Sequence, residues 1–131
     1  MGTLIIEYRF YFLLILIATT GCNMSDSSEN LSNGYQFAHE SETYNMIVGT
    51  HVIPCNVVNY RYDDHFIVAV QDPRADCPVH GDYKYKQGEQ FYFWVIDNAN
   101  DSCYGAMTRT EYKARIALLK IPTTLRVEEG E

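Results

Sequence analysis

Cys77-Pro78-Val79-His80 places a thiol and an imidazole three residues apart. That spacing is half of a tetrahedral zinc site, which Cys55 or Cys103 would have to complete. The same two side chains are also the types used by a thiolate nucleophile and its base. The chain carries neither chemistry further. It has no second Cys-x-x-Cys or Cys-x-x-His pair, and no oxyanion motif flanks the cysteine. Asp63, Asp64, His65 and Asp72 add carboxylates suited to acid–base work or calcium. An Asp-Asp pair between two strands is ordinary turn chemistry, however, and the spacing is not that of an EF-hand loop. There is no glycine-rich phosphate loop, no serine elbow and no His-x-x-x-His. The expectation is a non-enzymatic domain with no catalytic residue, metal site or cofactor.

Phe91-Tyr92-Phe93-Trp94 is the densest aromatic run of a chain with eleven Tyr, six Phe and one Trp. Aromatics on strands are mostly core. Alternation would leave half of this run outside, and Tyr92 and Trp94 are the expected anchors for a protein partner.

The elements that must hold these residues are mostly strands. Gly34 to Glu40 and Tyr44 to Val48 read as two short strands joined by a polar turn. His51 to Tyr62 is a longer extended stretch interrupted by Pro54, which cannot donate to a ladder and marks an edge or bend. His65 to Gln71 and Gln90 to Ile96 are apolar on both faces, as central strands are. Asp72 to Gly88, with its prolines, glycines and aspartates, reads as a long excursion. Cys103 to Met107 returns as a short strand. The period then changes. Thr108-Arg109-Thr110-Glu111 fits a capping box, Tyr112, Ile116 and Leu119 follow on one helical face, and Pro122 stops the helix. The expected fold is α+β: an antiparallel meander of about five or six strands with one C-terminal helix packed on it.

Ahead of this domain, Phe10 to Ala18 is an unbroken apolar run, followed by Thr19-Thr20-Gly21-Cys22 and an abrupt turn to polar residues. The run is too short to span a bilayer, which takes about 20 apolar residues. Extending it back to Leu4 would bury Glu7 and Arg9. A cleaved signal is therefore expected, and it resembles a bacterial lipoprotein signal. Thr20, Gly21 and Cys22 match that pattern, and Thr19 stands where leucine is usual. The resemblance implies cleavage before Cys22, a diacylglycerol thioether on its sulfur and an acylated amino terminus. Two or three acyl chains hold a protein stably where one does not. The expected division is a signal over 1–21, a lipidated cysteine and disordered tether over 22–33, and a single domain over 34–131. Localisation follows: the bacterial cell envelope, and the outer membrane in a Gram-negative cell.

Without 1–21, 110 of the 131 residues remain, enough for one core. The removed segment carries one acid and one base, so the charge stays at −7. An acidic chain lacks the phosphate contacts that drive nucleic-acid affinity. With Cys22 acylated, Cys55, Cys77 and Cys103 are an odd number in an exported domain that is permitted disulfides. Cys77–Cys103 is the preferred pair, because both flank the Gln90–Ile96 strand. Cys55–Cys77 and no bridge at all stay open.

YRYDDHFIVAVQ, FYFWVID and CYGAMTRTEYKARIALLKIP together resemble a family of small uncharacterised bacterial lipoproteins. The resemblance spans about Leu31 to Leu125. It implies a sheet followed by a Tyr-Gly turn, a Thr-x-x-Glu helix start and a Pro-ended helix, and it carries no activity. Asp72 to Gly81, with Cys77, departs from that pattern. The partners expected are the membrane, through the lipid, and an envelope protein. A toxin neutralised by an immunity-type lipoprotein is the alternative, since acidic charge steers association with a basic target.

Overall fold

The computed structural model describes residues 27–74, 76, 77, 85, 86 and 88–128. Among them, eight strands form two antiparallel sheets. The first sheet runs β1 (Ser27–Asn30), β2 (Gln36–His39), β3 (Asn45–Val48) and β4 (Val52–Ile53), in that order. The second runs β5 (Val57–Tyr62), β6 (Phe66–Gln71), β7 (Tyr92–Asp97) and β8 (Ser102–Met107). Helix α1 (Arg109–Leu118) and a 3₁₀ turn (Thr123–Leu125) follow.

The class is α+β, as expected, but eight strands replace the five or six of a single meander. Two local features account for the difference. The stretch expected to be one long strand across Pro54 is two strands in different sheets. Pro54 has no N–H to continue a ladder, so the chain leaves the first sheet after Ile53 and enters the second at Val57. Ser27–Asn30, expected within a disordered tether, pairs along its whole length with β2, from Ser27 opposite His39 to Asn30 opposite Gln36. Its side chains are all exposed, so backbone pairing rather than burial makes it a strand.

The second sheet is the middle of three layers. Ile67, Ala69, Trp94 and Ile96 face the first sheet, where Tyr35, Ile47 and Ile53 meet them. Val68, Val70, Phe93 and Val95 face Tyr112 and Ile116 of α1 and the following Ile121, Leu125 and Val127. Phe93 and Tyr112 stack with ring centroids 4.4 Å apart. Burial on both faces is why β6 and β7 read as continuous apolar runs.

The helix begins and ends as its residues dictate. Thr108 caps it, its hydroxyl accepting the Glu111 N–H at 3.3 Å. At the other end Lys120 turns left-handed (φ 54°), and the Ile121 N–H reaches the Ile116 carbonyl at 3.0 Å before Pro122. This is the double-bonded stop in which a left-handed residue closes a helix.

Gly105 on β8 lies flat against Trp94. A Cβ there would sit 2.2 Å from the indole, inside any van der Waals contact. Gly105→Ala is expected to cost about 1–3 kcal/mol of stability through overpacking. Urea titration of the variant checks this, and an unchanged midpoint would contradict the packing.

Candidate functional site

The hairpin acids are turn chemistry. Asp63 Oδ1 accepts the N–H groups of His65 and Phe66, each at 2.8 Å. Asp72 lies at the far end of β6, where its backbone exchanges both hydrogen bonds with Asn56 at 2.9 Å. The full length of a strand thus separates Asp72 from the Asp63–His65 turn.

The cysteine pairing is corrected to Cys55–Cys77, with Cα atoms 5.7 Å apart, and Cys103 is free. Register is the reason. Cys103 lies opposite Ile96, at the end of β7 away from Tyr92. The disulfide packs at the other end, among Met46 and Tyr44. Four residue steps of strand, from Tyr92 to Ile96, separate those ends, about 13 Å. The bridge is buried and holds Cys77, six residues past the end of β6, against Cys55. His80 and Cys22 lie outside the described residues. Among the described residues no cluster of three or more His, Cys, Asp or Glu side chains is placed to hold a metal.

Tyr92 and Trp94 are also corrected. Each is only 1% exposed, so neither is a partner anchor. A strand in a middle layer has no wet face, and both rings go inward. Both polar atoms are bonded within the fold, that of Trp94 in a buried network around Gln71 that residue order does not reveal. Gln71, fully buried, accepts from Trp94 Nε1 at 2.6 Å. Its Nε2 donates to the Cys55 carbonyl and to the Tyr85 hydroxyl, both at 3.1 Å. Tyr92 donates its hydroxyl to the Lys86 carbonyl at 2.6 Å. One polar residue closing the apolar run FIVAVQ was the available signal, since buried polar groups need partners.

The open face lies elsewhere. β8 is the outer strand of its sheet, and between it and α1 runs a groove of about 530 Å³ lined by Cys103, Tyr104, Met107, Arg115 and Leu118 among others. The Arg115 guanidinium lies 4.1 Å from the centre of the Tyr104 ring. Lys86 Nζ bonds Glu111 Oε1 at 2.7 Å, and that ammonium with the Thr108 hydroxyl holds the Glu111 carboxyl below its ordinary range. Leu118 is 70% exposed at the groove margin.

Cys103 is the group here with latent reactivity, and its surroundings suppress it. Burial pushes the thiol from its ordinary 9.0 up to about 11. A nucleophilic cysteine needs the opposite shift. The unfolded chain releases this proton near pH 9 and the folded chain near 11. The stability tied to it is therefore complete below pH 9 and lost as the pH climbs through 11. Cys103→Ser is expected to flatten the fall in urea midpoint across that window. An unchanged alkaline profile would contradict the burial.

At the same end of β8, two residues before Cys103, Asp101 Oδ1 meets His51 Nε2 at 3.1 Å. Beside them burial raises the Tyr35 phenol above its ordinary value, and its oxygen accepts the His51 N–H at 3.2 Å.

A family model described as a protein of unknown function (DUF3997) matches residues 26–131, a span that takes in β1. No curated protein and no solved structure matches the chain.

Proposed function

We propose, from the premise that the chain belongs to the DUF3997 family of unknown function, that it is a lipid-anchored, non-enzymatic binding domain of the bacterial cell envelope. The observation that carries the reading is the apolar run ending in Thr20-Gly21-Cys22, with the domain following at once. Lipid on Cys22 ties the chain to the membrane, and cleavage removes 1–21. The buried Cys55–Cys77 bridge suits an exported protein, because such bonds persist in oxidising compartments. The protonated Cys103 thiol supports binding rather than covalent chemistry. The groove between β8 and α1, with Leu118 at its margin, is the face offered to an envelope protein.

Fractionation of cells making the wild type or Cys22→Ala tests the anchor. The wild type stays with membranes in high salt and leaves them in detergent, while the variant is soluble. Wild type that salt releases, or that is soluble throughout, overturns the reading.

The charge of −7 favours one second reading, an immunity-type lipoprotein that neutralises a basic toxin. Its association rate would fall steeply with salt. A rate independent of salt counts against it.

A further inference from the structure

We propose that β1 is a releasable clasp, a four-residue strand that lets the domain sit at two distances from its anchor. The inference rests on the lipidated Cys22 for its consequence at the membrane, but the clasp itself is a property of the fold.

β1 is Ser27-Ser28-Glu29-Asn30, exposed at every position and at the outer edge of its sheet. It buries no apolar side chain, so no hydrophobic burial adds to its ladder with β2 in offsetting the entropy of ordering it. Two side-chain bonds support it. The Tyr60 hydroxyl donates to the Glu29 carboxylate, and Gln36 Nε2 donates to Asn30 Oδ1 at 3.1 Å. The chain behaves differently from Leu31 onward. Leu31 packs on the core beside Tyr35, and its N–H bonds the Tyr35 carbonyl at 2.8 Å. Tyr35 is buried, and the Tyr35 N–H bonds the Ser32 carbonyl at 3.1 Å. Opening β1 therefore stops at Leu31 and leaves both cores intact.

The consequence is length. With β1 docked, five residue steps join Cys22 to the first strand residue, at most about 18 Å. With β1 released, nine steps join it to Leu31, at most about 32 Å. Release also frees the outer edge of β2, which β1 covers while docked.

Amide exchange on the mature protein in detergent micelles tests this, for the wild type, for Tyr60→Phe, and for Ser28→Cys/Ala38→Cys. The last pair lies directly opposite across β1 and β2 and, once bridged, locks the clasp. The β1 amides bonded to β2 are expected to exchange at least about 100-fold faster than those of β6, through openings confined to β1. Tyr60→Phe speeds β1 alone by about tenfold, the loss of one hydrogen bond to a charged group. The bridged variant slows β1 to the rate of β2. Exchange of β1 only with global unfolding overturns the clasp. Exchange of β1, β2 and β3 at one common rate overturns it too, since the sheet would then open as a unit. The intact mass of the same wild-type sample separates the two claims. An unlipidated wild type with a fast β1 removes the membrane role and keeps the clasp.

Discussion

Replacing Cys55 or Cys77 with serine lowers the unfolding free energy by about 3 kcal/mol, read as a shift in the denaturant midpoint. The bridge closes a loop of sequence separation 22, and in the chain-entropy model a loop of that size removes about that much from the freedom of the unfolded chain. The effect is local in the fold as well. Without the bridge, Cys77 is no longer tied to Cys55, and Met46 and Tyr44 lose a sulfur atom of the cluster they pack in. The double variant should be no worse than the worse single one, because each single variant already breaks the whole bond. Both half-cystines are buried, so mild reductant acts on the native state only through opening. A Cys77→Ser variant as stable as the wild type would contradict the Cys55–Cys77 pairing. Equal loss in Cys103→Ser would point back to a bridge involving that residue.

Gln71→Leu costs about 3–5 kcal/mol, although leucine is close in size and prefers the core. The loss is polar. Trp94 Nε1–H is left without its 2.6 Å acceptor and the Cys55 carbonyl without its 3.1 Å donor, both within the core. Each buried group left unpaired costs about 1–3 kcal/mol, and the shape mismatch adds to that. A double-mutant cycle separates the causes. Adding Trp94→Phe removes the donor that has lost the Gln71 acceptor, so the second substitution should cost less in the Gln71→Leu background than in the wild type. Additive costs would show that Gln71 and Trp94 do not act as a pair. Gln71→Glu is informative beside it. Its carboxylate still accepts from Trp94, but it faces the Cys55 carbonyl with no donor when ionised, so the variant should be more stable at acid pH than at neutral pH.

Much of this architecture was readable from residue order, for reasons that differ between elements. β6 and β7 are buried on both faces, and that produces unbroken apolar runs whatever the topology. The helix announced itself through Thr108, Glu111 and Pro122, because caps and stops are local chemistry. β1 was invisible for the opposite reason: it pairs by backbone and buries no side chain, so Ser-Ser-Glu-Asn resembles a linker. Tyr92 and Trp94 were misplaced because alternation separates inside from outside only when one face is wet. In a middle layer both directions are inside. The cysteine pairing depended on which end of β7 each residue reached, a matter of register that spacing along the chain does not encode. Pro54 reads as a break from sequence, but that the chain changes sheets there follows from how the two sheets stack, which is tertiary. The groove between β8 and α1 is likewise a product of packing, since its lining comes from a strand edge and a helix flank.

The anchor on Cys22 is the central claim, and a mass spectrum of the mature protein from its own membrane fraction tests it most directly. The wild type is predicted at the mass of residues 22–131 plus two or three acyl chains, with one disulfide that reductant opens, and that species is absent from Cys22→Ala. An unmodified mass would contradict the account. It would leave Cys22 a plain thiol, make the cysteine count even, and set Cys22 and Cys103 as the pair to examine next.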